Sequence, residues 1–337
     1  MGQRKSALTV HRTYANFRRY SGVAWAYSKQ PEDVKIITNW DSTEWLNADK
    51  GKAPTKISYG QAEDDMTWGY GIGNTEAAEW FKLLLLDEGD MDEEKKKSPQ
   101  IKRARTLLQR AGKSPVQAVA DYLRLLWTHA IQNIEKDFGE ATVEGLPFRV
   151  VLTVPAVWTQ RAVNRMRQAA KEAGILWHRL AGKTTLDFVS EPEAAALATF
   201  DDLKTRPNFQ HGDTFVICDA GGGTVDLISY KVQQAKPMQL AECVEGSGKL
   251  CGAVFLDQDF EDLMKQLVGD AWNASEAAVK NMMNTQWENG IKRGFDGQDK
   301  TWQLTLPYEC VQRGALPHLT LQKYVSITLC CTSTLTN

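Results

Sequence analysis

Two apolar runs, Thr214 to Cys218 and Val225 to Val232, are separated only by Asp219-Ala220-Gly221-Gly222-Gly223-Thr224. Each run is short, bounded by turn residues and rich in side chains that suit a pleated surface, so the pair predicts a β-hairpin. Consecutive glycines at its tip leave the backbone bare, open to close approach by a ligand. Amides without side chains in the way suit phosphate oxygens. A carboxylate on each side, Asp219 and Asp226, together with the Thr224 hydroxyl, is a donor set for a hydrated divalent cation. The plain alternative is an ordinary glycine hairpin.

The chain has the material to build around such a hairpin. Its 337 residues are 42% apolar and 24% charged, the profile of a globular chain long enough for two domains. Forty basic residues against 42 acidic ones give a net charge of -2, so composition offers no reason to expect a nucleic-acid partner. Apolar stretches such as Leu83 to Leu86 fall far short of the roughly 20 residues of a membrane span, so no transmembrane segment is expected. The cysteines form no C-x-x-C pair and no metal-type spacing with histidine, which favours free thiols and a reducing, cytoplasmic location. Met1 to Gln30 is basic and without acids, and reads as a surface tail or a transit-like bias; Met1-Gly2-Gln3-Arg4-Lys5-Ser6 also fits the N-myristoylation pattern.

Along the chain, Ser21 to Ala26 and the stretch on to Asn47 read as short strands, and Glu63 to Gly73 as a loop leading into a short aromatic strand. Glu76 to Leu86 has helical spacing, whereas the mixed charges of Asp87 to Arg105 predict a solvated connector. Ser114-Pro115 starts a long core-facing helix that Gly139 stops. Phe148 to Val154 is a buried strand, Thr159 to Ala173 an amphipathic helix, Phe255 to Trp272 helical, and Tyr324 to Cys330 a strand.

Three segments together resemble a known family. Asp219 to Asp226 is similar to the second phosphate-binding hairpin of the actin-like ATPase superfamily, most closely that of the seventy-kilodalton heat-shock chaperones. Val150 to Ala156 with Gln160-Arg161, and Ser190-Glu191-Pro192-Glu193 with its alanine run, resemble two further motifs of those chaperones, in the same order and spacing. Tyr20 to Ala26, Trp68-Gly69-Tyr70 and Trp80 to Leu85 look like the divergent heat-shock-related proteins of filamentous fungi. The resemblance implies an α/β, bilobed actin-like ATPase (ribonuclease H-like) fold with an incomplete second lobe. It divides the chain into an atypical basic segment 1–19, a first lobe 20–205 with a small subdomain at about 56–140, and a second lobe 206–337.

For function, the resemblance implies ATP or ADP with magnesium as ligands, and protein clients or co-chaperones as partners. Asp219 and Glu191 would order the attacking water, Gly221, Gly222, Gly223 and Thr224 would hold phosphates, and Asp219 and Asp226 would serve the metal. Lys292 and Arg293 fall where an adenosine-contacting helix is expected, although the spacing from Glu288 is one residue too long. Pro155 and Arg161 match relay positions; Arg161 equally suits a surface helix. Glu191 has a plainer reading as a helix cap. The catalytic lysine is open among Lys52, Lys56 and Lys82. Where the family has its first phosphate hairpin, this chain has Arg12 to Arg19, without aspartate or glycine, so hydrolysis is expected to be impaired. A non-catalytic scaffold, an inactive fragment and a sugar-kinase-like phosphotransferase are the rival readings.

Overall fold

The structure, a computed structural model, describes residues 8–11, 20–42, 50–60, 65–73, 75–91, 93–202, 210–235, 238–298 and 300–322. In chain order the strands are β1 (Leu8–His11), β2 (Tyr20–Ser21), β3 (Ala24–Tyr27), β4 (Gln30–Ile36), β5 (Ala53–Pro54), β6 (Ile57–Tyr59), β7 (Met66–Trp68), β8 (Phe148–Val154), β9 (Thr185–Ser190), β10 (Thr214–Ala220), β11 (Val225–Ala235), β12 (Met238–Lys249), β13 (Thr301–Thr305) and β14 (His318–Gln322). The α-helices are α1 (Glu93–Lys97), α2 (Pro99–Arg110), α3 (Pro115–Phe138), α4 (Glu140–Glu144), α5 (Gln160–Glu172), α6 (Glu191–Asp202), α7 (Ala253–Val268), α8 (Glu276–Met282) and α9 (Tyr308–Gln312). Two compact units divide the chain: Met1–Gly222 with Asp226–Gly248, and Gly223–Val225 with Lys249–Asn337.

The first unit is organised by a five-stranded mixed sheet in the order β4-β3-β1-β8-β9. The apolar pattern of Phe148 to Val154 fits a strand with neighbours on both sides, and β8 lies parallel to both β1 and β9. At the opposite edge, β4 is exposed throughout and carries Pro31, Glu32, Asp33 and Lys35, residues that discourage further pairing. The strand β1 is a finding that sequence reading did not supply: it sits in the middle of the sheet, inside a segment that composition marks only as basic.

Helices cover this sheet as their sequences dictate. Ser114 accepts from Gln117 N while the Gln117 side chain accepts from Ser114 N, a complete capping box with Pro115 in the first turn, and Gly139 ends α3 at φ 80°. The apolar side of α3, including Leu123, Leu126, Ala130 and Ile134, packs on α5, whose Ala162, Met166, Ala169 and Ala170 are buried.

Two expectations are corrected here. Asp87 to Arg105 is not an unstructured connector, because Ser98 caps α2 and Ile101, Ala104 and Leu108 are buried. Glu76 to Leu86 is not an α-helix either: Ala78 bridges Ile57, and Trp80 turns left-handed at φ 64° before a 3₁₀ turn over Phe81–Leu85. That conformation is costly for a residue with a Cβ, and Trp80 holds it while fully packed inside.

In the second unit, the Phe260 and Trp287 rings stack at 4.2 Å within a core that also holds Met264, Met282, Ile291, Leu304 and Leu306. Strands β13 and β14 pair antiparallel beside it. Met283–Lys292 winds as a π-helix. The expected strand at Tyr324 to Cys330 and the myristoylation pattern at Met1 to Ser6 lie outside the described residues.

Candidate functional site

The parallel strands β1, β8 and β9 direct their carboxyl ends to one edge of the sheet, where Val154 stands beside Ser190. Open α/β sheets bind ligands at that edge. Glu191 follows β9 at once and begins α6, yet its carboxylate is not the cap; Ser190 Oγ accepts from Glu193 N at 3.2 Å. Glu191 Oε1 instead accepts from Lys82 Nζ at 2.8 Å, with side-chain exposures of 8% and 1%. The Lys82 ammonium also lies 5.2 Å from the centre of the Trp158 ring. Trp158 Nε1 and Thr153 Oγ1, both buried, have no hydrogen-bond partner among the described residues.

Of the three candidate lysines, Lys82 is therefore the one in contact with Glu191. Lys56 pairs with Glu79 at 2.7 Å in a partly exposed position. Lys52 lies within electrostatic reach of both Asp219 and Glu191; burial pushes its ammonium pKa down, and the two carboxylates oppose that shift. Asp219, half-buried, is next to last in β10. Asp226, in β11, is 8% exposed and Thr224 2% exposed. Gly221 and Gly222 are half-buried at the hairpin turn, and Gly223 O accepts from Gly252 N at 3.4 Å. Arg161 lies on the exposed side of α5, where it pairs with Asp87 at 2.7 Å, and Arg165 holds the same carboxylate together with Leu85 O. The Arg12 to Arg19 segment lies outside the described residues.

In the second unit, Lys292 Nζ meets Asp257 Oδ1 at 2.7 Å and Glu288 Oε2 at 2.8 Å. Trp287 Nε1 donates to the same Asp257 oxygen at 2.7 Å. Arg293 reaches Glu288 more loosely, at 3.6 Å. Glu288 and Lys292 both lie in the π-helix, whose i→i+5 hydrogen bonding makes each turn wider than an α turn. Glu288 and Lys292, four residues apart, pair along the helix, and Arg293 reaches the same carboxylate.

No family model matches the chain. Comparison with curated proteins finds human heat shock 70 kDa protein 12A, 24% identical over 316 residues, which cover 74% of this chain and 44% of that protein. Human heat shock 70 kDa protein 12B is 25% identical over 362 residues, covering 88% and 48% respectively. A chaperone protein HscA homolog from Chromobacterium violaceum is 36% identical over 161 residues, 48% of this chain and 22% of that protein. The chain is heat-shock-70-like. Its fold is α/β, and it spans about half the length of the first two relatives. Among solved structures, the archaeal actin homolog Ta0583 in complex with ADP aligns with a TM-score of 0.40 and 12% identity, over 82% of this chain and 70% of that one. No described helix of this heat-shock-70-like chain is long and apolar enough to cross a membrane.

Sequence reading missed the Lys82–Glu191 contact as such. A signal was present: Lys82 is the one charge in the run Trp80 to Leu86, and a lysine in so apolar a setting needs a buried partner.

Proposed function

We propose that this heat-shock-70-like chain binds ATP with magnesium and hydrolyses it slowly, as part of a cytoplasmic chaperone with protein clients. The observation that carries this reading is the buried Lys82–Glu191 pair at the carboxyl edge of the parallel strands, with Asp219 within electrostatic reach of the neighbouring Lys52. Carboxylate oxygens of Asp219 and Asp226 are of the hard type that magnesium takes, and magnesium commonly uses only one or two carboxylates beside water and phosphate. The residues fit the ion, although among the described residues no three His, Cys, Asp or Glu side chains gather into a ligand cluster. When bound, magnesium neutralises charge on the phosphate oxygens.

The chain's own residues then divide the work. Gly221, Gly222, Gly223 and Thr224 offer backbone amides and a hydroxyl to phosphate oxygens, with no side chain obstructing the glycines. Lys82 fixes the Glu191 carboxylate, so that its second oxygen can orient a water and hold the proton that the water loses. Asp219 shares that positioning. Without the first hairpin's aspartate, water ordering falls to fewer groups, which is why turnover is slow.

Calorimetric titration with ATP, with and without magnesium, tests the reading. Magnesium-dependent binding is expected, with loss in Gly222→Val, whose branched side chain would occupy the phosphate approach. Glu191→Gln should keep affinity and lower steady-state phosphate release by about 100-fold. Equal ATP affinity in Gly222→Val and the parent chain overturns the hairpin assignment.

A further inference from the structure

Lys82 reaches Glu191 from a segment that is aimed at a cost. Among the described residues, Trp80 is the sole non-glycine with a left-handed backbone, and Lys82 follows two positions later in the 3₁₀ turn Phe81–Leu85. A residue with a Cβ holds that conformation only where its surroundings over-determine it. On the other side, Trp158 stands between the end of β8 and the start of α5. Its backbone N donates to Pro155 O at 3.2 Å, and Thr159 beside it caps α5 by accepting from Ala162 N. The indole is thus carried on backbone fixed on both sides, which pre-organises a contacting side chain.

The ring of Trp158 lies 5.2 Å from the Lys82 ammonium. Lysines meet rings elsewhere in this unit, Lys35 over Trp25 at 4.9 Å and Lys113 over Tyr59 at 5.4 Å, but those lysine side chains are 45% and 20% exposed. Lys82 is 1% exposed, so the attraction acts where water does not weaken it. The choice of residue carries a cost as well. Trp158 Nε1 is buried without a hydrogen-bond partner among the described residues, whereas the buried indoles of Trp40 and Trp287 donate to Lys50 O and Asp257 Oδ1. Phenylalanine would pack an aromatic ring there without burying a donor. Packing therefore does not explain a tryptophan, and the strength with which an indole face attracts a cation does.

We propose that Trp158 is a positioning residue: its ring face holds the Lys82 ammonium against Glu191 and so fixes the direction of the carboxylate oxygen left to orient water. Its effect on turnover rests on the nucleotide reading above; the contact itself does not. Trp158 acts through Lys82 rather than on the ligand.

The test compares Trp158→Phe and Trp158→Leu with the parent chain by ATP titration and steady-state phosphate release in magnesium. Trp158→Leu keeps apolar bulk and removes the ring. Its turnover is expected to fall about 10-fold with ATP affinity unchanged, because a displaced Lys82 misdirects Glu191 without touching the phosphate cradle. Trp158→Phe restores a ring and should recover most of that loss. A merely structural tryptophan would not split turnover from affinity in this way. Urea unfolding supplies a readout independent of nucleotide: Trp158→Leu is expected to cost more stability in the parent than in the Lys82→Met, Glu191→Leu double variant, where no ammonium remains. Equal costs in the two backgrounds overturn the contact and the proposal with it, whatever happens to ATP. Equal turnover in Trp158→Leu and the parent overturns the positioning role and leaves the nucleotide reading standing. A parent chain that neither binds nor hydrolyses ATP overturns the nucleotide reading and the role in turnover together, while a larger stability cost in the parent still upholds the Lys82–Trp158 contact.

Discussion

Lys82 and Glu191, 109 positions apart in the chain, meet through a single 2.8 Å hydrogen bond in a setting almost closed to solvent. Such a pair is expensive to break from one side. The lone charge left behind has lost its partner and cannot reach water, which costs about 3–5 kcal/mol. Replacing both with apolar residues removes the desolvation along with the attraction. Denaturant unfolding of Lys82→Met, Glu191→Leu and the double variant should therefore show two severe single losses and a double loss far smaller than their sum. Additive losses would mean that the two side chains do not meet in solution.

The π-helix gives a second prediction. If Met283–Lys292 accommodates one residue more than an α-helix would, deleting Asn289 should let it relax to α geometry with the Phe260–Trp287 stack intact. Helical circular dichroism and the Trp287 emission maximum should stay at parent values, and the unfolding temperature within a few degrees. Deleting Gln168 from α5, a regular helix, turns all later residues off the packed face and should unfold the first unit. Equal damage from both deletions would refute the insertion.

Tyr59 and Tyr70 are among the tyrosines that should titrate late. Tyr59 donates to Asp121 at 3.3 Å; burial first, and then the charge of Asp121, pushes its phenol far above the usual range. Tyr70 is pushed up to about 12, mainly by burial and secondarily by Tyr20. A phenol whose pKa is raised on folding stabilises the native state below its unfolded value of about 10. That contribution is lost as pH rises from about 10 through 12. Tyrosinate absorbance should show a delayed native fraction that disappears in denaturant. All nine tyrosines titrating together near pH 10 in the native protein would contradict the burial of this pair.

Much of the architecture was legible wherever local signals and tertiary packing agree. The Ser114-Pro115 start of α3 and the apolar run of β8 are read correctly because each segment specifies its own geometry. Ser98-Pro99 is the same start signal, and it was obscured by the surrounding charges, which lie outside the apolar face of α2. Helical spacing misleads at Glu76 to Leu86 because a single left-handed residue, Trp80, cancels it. The hairpin carboxylates are visible in sequence as a contiguous motif. Lys82 is not, since its role depends on a residue from a strand end far along the chain.

The position of β1 has a consequence for how the protein is made. Its antiparallel partner β3 is close by, so the β1-β3-β4 meander can assemble soon after it leaves the ribosome. Its other edge waits for β8, with Leu8 finally opposite Phe148. At translation rates of about 5–20 residues per second, that edge stays uncovered for on the order of ten seconds. During that interval the nascent chain carries an unpaired strand edge, the feature through which chains pair wrongly with one another.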